Sequence, residues 1–149
     1  MFGTLLVVAN GFPAHPRAGR TALRLAAAAD AEVVALYVVD RAWAAILGDE
    51  WPSSGRARRR FYLYLAAELR ARAEAALAAV RAAGEGMGVT VGTRLGTGLP
   101  EEIIGAACAQ ELPDLLVLPY PPAKDPVDAL RFSPERILRR VSCRVLFVK

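Results

Sequence analysis

Apolar positions along the chain switch repeatedly between two periods. Thr4 to Ala9 (TLLVVA) is a nearly continuous apolar run, the pattern of a strand covered on both faces. From Arg17 to Asp30 the apolar residues Ala22, Leu25, Ala26 and Ala29 recur at helical spacing. Glu32 to Val39 (EVVALYVV) is strand-like again. Residues 41–55 hold Trp43, Gly48, Trp51, Pro52 and Gly55 and predict a long connection with at most one short helical turn. Arg56 to Ala83 predicts the longest helix, its apolar stripe running through Phe61, Leu65, Leu69, Ala73, Leu77 and Val80.

Gly84, Gly86 and Gly88 predict the end of that helix. Val89 to Leu95 alternates as a third strand does. Gly96 to Pro100 turns into a helix from Glu101 to Glu111, with Pro100 at a favourable first position and two glutamates suiting the positive helix end. Leu115 to Leu118 reads as a fourth buried strand. A proline-rich loop from Pro119 to Phe132 leads to a short helix, Pro134 to Val141, and Arg144 to Val148 closes as a fifth strand. Strands separated by helices imply parallel pairing, right-handed crossovers and helices on both faces. The expected fold is one α/β domain over residues 1–149, a three-layer α/β/α arrangement around a doubly wound parallel sheet. Ligands of such sheets bind beyond the carboxyl ends of the strands, where the winding reverses.

Composition narrows the setting. With 149 residues, 54% hydrophobic and 23% charged, the chain can bury a real core, which excludes intrinsic disorder. No uncharged apolar run approaches the roughly 20 residues of a membrane span. Met1-Phe2-Gly3-Thr4 lacks a basic n-region, so no secretory leader is expected, and a cytoplasmic protein is. The two cysteines, Cys108 and Cys143, have no CxxC partner and read as inert buried thiols in a reducing compartment, with no metal site. A net charge of +4 permits an anionic partner but falls short of demanding nucleic acid.

Several short motifs, in order and at matching spacing, make the chain resemble the universal stress protein family over nearly all its length. Val7-Val8-Ala9-Asn10-Gly11 stands where that family has an Asp-Gly-Ser-like turn, and Tyr37-Val38-Val39-Asp40 where its second strand closes. Gly98-Leu99-Pro100-Glu101-Glu102-Ile103-Ile104 is similar to its Gly-x-Pro-x-Glu-x-Ile turn, and Ser133 through Val148 follows its C-terminal pattern. The resemblance implies a Rossmann-like sheet of order 3-2-1-4-5 and a homodimer paired through the fifth strand.

Nucleotide-binding members carry Gly-x2-Gly-x9-Gly-(Ser/Thr) after the fourth strand. Here those three glycine positions fall on Pro119, Pro122 and Phe132; Ser133 survives, and the first-loop aspartate is Asn10. A phosphate cradle needs inward backbone N–H groups and close backbone approach. Pro119, Pro121 and Pro122 delete three donors, Pro134 deletes a fourth, and Phe132 adds bulk in place of a glycine. Backbone hydrogen bonds to a charged oxygen contribute about 1.5–3 kcal/mol each, so most triphosphate affinity is expected to be lost. Tyr120 and Phe132 are placed to fill the vacated crevice.

The leading expectation is a non-enzymatic, dimeric stress-response protein without ATP at the usual loop and with no cofactor, working through protein contact or another ligand. The alternative is a regulator that keeps weakened binding of ATP or AMP with magnesium through Asn10, the backbone at Val38, and Ser133. A third reading is a small hydrolase with His15 as base and Ser133 as nucleophile, though no Gly-x-Ser-x-Gly elbow is present. Ser133, followed by Pro134 and Glu135, reads first as an N-cap, and capping alone explains it. Arg56, Arg58, Arg59 and Arg60 oppose the helix dipole, as either a solvated face of a helix begun near Ser53 or Ser54, or an anion site. Trp43, Ile46, Leu47 and Trp51 are expected to pack onto the domain or a second copy.

Overall fold

A computed structural model describes residues 3–40, 55–120 and 130–149. The readings placed on Trp43, Ile46, Leu47, Trp51, Ser53, Ser54, Pro121 and Pro122 lie outside the described residues. Five strands, β1 (Thr4–Val8), β2 (Glu32–Asp40), β3 (Val91–Gly98), β4 (Leu115–Pro119) and β5 (Arg144–Val148), form one sheet. All pairings are parallel and the order is β3-β2-β1-β4-β5, as the resemblance implies. Four helices connect them: α1 (Arg17–Ala29), α2 (Gly55–Gly86), α3 (Pro100–Glu111) and α4 (Pro134–Arg140).

Alternation along β1 divides the core in two. Leu5 and Val7 face α1 and α2, in a cluster with Ala22, Leu23, Ala73 and Val80. Leu6 and Val8 face α3 and α4, with Ile104, Leu116, Leu118 and Ile137. Both faces of the central strands are covered, which is why they read as unbroken apolar runs. β5, at the edge, is only half-buried from Val145 to Val148.

Two boundaries lie three residues beyond the sequence expectation, and the others fall within two. Helix α2 does not stop at Gly84; it runs to Gly86, and the chain turns at Gly88, whose φ of 73° suits glycine. The Val89 N–H closes that turn on the Gly84 carbonyl at 2.8 Å. Gly84 serves packing instead: a Cβ there would run into the Val91 side chain and lie 3.3 Å from Leu23. Strand β3 extends through Gly98, because β2 continues beside it as far as the Asp40–Gly98 pair. Gly96 is needed there, since a Cβ would meet Ile103 of α3.

The N-terminal half of α2 is mostly exposed. At 32 residues it is about 48 Å long, far longer than the strands it crosses. Its buried positions, Leu65, Ala73, Ala76, Leu77 and Val80, begin only in the third turn. Phe61 from the expected stripe is exposed. At the amino end of the sheet, Asp114 accepts from Gly3 N at 2.6 Å and Thr4 N at 3.1 Å. Those two bonds hold its carboxyl below the usual carboxylate range.

Candidate functional site

The winding reverses between β1 and β4, so their carboxyl ends, with that of β2, frame the crevice. Asn10 stands two residues past β1 and is 5% exposed. The register Val8–Leu36 between β1 and β2, carried on two residues, sets Asn10 beside Val38. Its carboxamide then bonds both main-chain groups of that residue: Nδ2 donates to the Val38 carbonyl at 2.8 Å, and Oδ1 accepts from the Val38 N–H at 2.9 Å. An ionised carboxylate cannot do both, because it has no donor. An aspartate would accept from the N–H and leave the carbonyl open.

The other half of the crevice is closed similarly. The Tyr120 N–H, next to the first lost glycine position, donates to Val148 O at 2.8 Å. Ser133 caps α4 as its Ser-Pro-Glu sequence predicts, its Oγ accepting from Arg136 N at 3.4 Å. Its own N–H is taken by Glu101 Oε1 at 3.1 Å, from the first turn of α3. A carboxylate thus occupies the donor an incoming phosphate would seek, and it would also repel that phosphate. Glu101 is the residue that sequence reasoning missed; it read as a helix-dipole partner, and no local signal points to a bond 32 residues away.

Tyr120 lines an open cavity together with Asn10, and Phe132 is half-buried. Both pack on Phe147 of β5: Tyr120 edge-on with centroids 5.9 Å apart, and Phe132 stacked at 6.5 Å. His15 and Ser133 are not brought together. His15 lines an open cavity of about 390 Å³ on the α1 side, with Arg17, Tyr120 and Lys149. Ser133 starts α4, which packs on the opposite face. Of the three candidate ligand residues, then, Asn10 and Val38 meet each other, while Ser133 meets Glu101. Among the described residues no group of three or more His, Cys, Asp or Glu is arranged to hold a metal ion. No helix among them is long and apolar enough to cross a membrane.

The family model described as the universal stress protein family matches residues 1–149. The chain belongs to that family. Among solved structures, a universal stress protein family member from Burkholderia pseudomallei is 25% identical, with 97% of this chain and 94% of that chain covered and a TM-score of 0.69. A universal stress protein in complex with cAMP is 21% identical over 99% and 97% of the two chains, TM-score 0.66. An Arabidopsis thaliana family protein with AMP bound is 17% identical over 99% and 91%, TM-score 0.63. Among curated proteins, none matches the chain.

Proposed function

We propose that this universal stress protein is a non-enzymatic, cytoplasmic regulator that acts as a homodimer and does not bind ATP through the usual loop. One observation carries the reading: the polar groups positioned to meet a nucleotide are already bonded to one another. Asn10 holds the Val38 carbonyl and N–H, Glu101 holds the Ser133 N–H, and Val148 holds the Tyr120 N–H. The adenine edge needs an acceptor and a donor, and phosphate needs free donors. A ligand entering here would first break several internal bonds and then repay buried partners left unsatisfied. Proline at positions 119 and 134 removes further donors.

Dimerisation follows from β5. Its four apolar residues from Val145 to Val148 are half-buried at a sheet edge, a liability that pairing with a second copy relieves. Antiparallel pairing about a two-fold axis satisfies both edges at once.

A second reading is supported by the related structures in complex with cAMP and with AMP. In it, Asn10, Val38 and Ser133 open to a weakened adenine nucleotide site with magnesium. Thermal melting with ATP, AMP and magnesium separates the two. A ligand at 100 times its Kd adds about 2.7 kcal/mol of stability, a clear shift. The main reading expects none with millimolar ATP, and a shift overturns it. The hydrolase reading has no support from geometry, because His15 and Ser133 belong to opposite faces.

A further inference from the structure

Cys108 and Cys143 are both free thiols, and tertiary structure delivers them to one place. Cys108 lies in the last turn of α3, where its carbonyl accepts the Leu112 N–H at 3.0 Å and ends the helix. Cys143 lies one residue before β5. Both line an open pocket of about 490 Å³ between the end of α3 and the start of β5, together with Pro113, Asp114 and Arg144. Cys108 is buried and packs in the core cluster behind Ile104 and Ile137, whereas Cys143 is half-buried against that cluster. Burial first, and then the neighbouring Cys143, push the Cys108 thiol up to about 12. Cys108 therefore stays a thiol, and Cys143 is the sulfur that a reagent entering the pocket meets.

We propose that Cys108 and Cys143 form an intramolecular dithiol site that low-molecular-weight disulfides such as oxidised glutathione convert to a disulfide. The Cys143 thiolate, its proton lost to solvent, attacks one reagent sulfur; the reagent S–S bond breaks and one thiolate leaves, taking a proton from water. Cys108 Sγ then attacks Cys143 Sγ, the bond between Cys143 and the reagent sulfur breaks, and the departing reagent thiolate takes the proton that Cys108 gives up. The two protein thiols are oxidised by two electrons in total, and the reagent disulfide is reduced to two thiols. The product ties α3 to the start of β5, the edge strand of the sheet.

Intact-mass measurement after incubation with excess oxidised glutathione tests this. The unmodified chain should lose two hydrogen masses, carry no adduct and run as a single chain on a non-reducing gel. Cys108→Ala should stop with one glutathione on Cys143, and Cys143→Ser should stay unmodified. Melting of the oxidised parent gives a readout independent of how the variants fold: its midpoint should rise by about 5 °C or more and return with dithiothreitol. An unchanged mass, a persistent adduct on the parent chain, an intermolecular disulfide, or glutathione on Cys108 of Cys143→Ser would each overturn the proposal.

Discussion

The crevice and the first turns of α2 treat their polar groups in opposite ways. In the crevice Asn10, Val38, Ser133 and Glu101 are at least partly buried, and each makes a hydrogen bond within the chain. On α2, Arg56, Arg59 and Arg60 are exposed and make no ion pair among the described residues. Farther along the same helix, Arg70 pairs with Glu74 at 3.3 Å and Arg72 with Glu68 at 3.8 Å. Leu63 and Tyr64, 65% and 68% exposed, lie just beyond those arginines. Where strand ends and helix starts converge, this sequence supplies side chains that consume the backbone's capacity for ligands. Along the start of α2, the side chains of Arg56, Arg59 and Arg60 are left exposed. A site is thus marked less by residue type than by whether its partners are already internal.

The largest effect that could break this comparison belongs to Asn10. Asn10→Leu strands two buried main-chain groups and should cost about 2–4 kcal/mol in urea unfolding; a variant as stable as the parent would show that the crevice is not held by these bonds. Asn10→Asp keeps the bond from Val38 N but leaves the carbonyl unpaired, a loss of about 1–3 kcal/mol at neutral pH. Because burial favours the protonated carboxyl, which can donate to Val38 again, that deficit should shrink as pH falls. Any adenine nucleotide affinity should appear first in this variant, read by thermal shift.

Glu101→Ala should cost about 1 kcal/mol by freeing the Ser133 N–H, and it should raise the protein's stabilisation by inorganic phosphate, which the parent is not expected to show. Ser133→Ala removes a long cap bond and should cost about 0.5–1 kcal/mol, with no change in phosphate response. The smallest effect is expected on the surface. Changing Arg56, Arg59 and Arg60 together to Gln should leave stability unchanged or raise it by about 0.3–1 kcal/mol at low salt, because like charges are removed from the positive helix end. A loss above about 1 kcal/mol would mean that these arginines have structural partners after all.

A pH scan of the parent offers a reference from outside both regions. The Asp114 carboxyl is depressed by its bonds to Gly3 and Thr4, so its contribution is present above the unfolded-state pKa and is lost as pH falls through the folded one. Asp114→Asn should flatten that acid limb slightly.

Much of this protein was legible in local pattern. Short apolar runs and one alternating segment, set between stretches of helical period, placed the strands and helices among the described residues, and their alternation implied a parallel sheet. Ser133-Pro134-Glu135 announced the cap of α4, and the prolines announced missing donors. The helix end misread at Gly84 shows the limit: three glycines look alike in sequence, yet one faces Val91 and another takes a positive φ. The bonds that close the crevice were illegible for a related reason. Asn10 meets Val38 across 28 residues and Ser133 meets Glu101 across 32, and neither pairing has a local signature. Each depends on register and on the angle at which a helix is seated. Period and capping are properties of neighbouring residues, so the sequence alone determined the elements and their order. Which side chain reaches which distant backbone group depends on a placement accurate to about a hydrogen bond's length, and only the packed sheet and helices decided that.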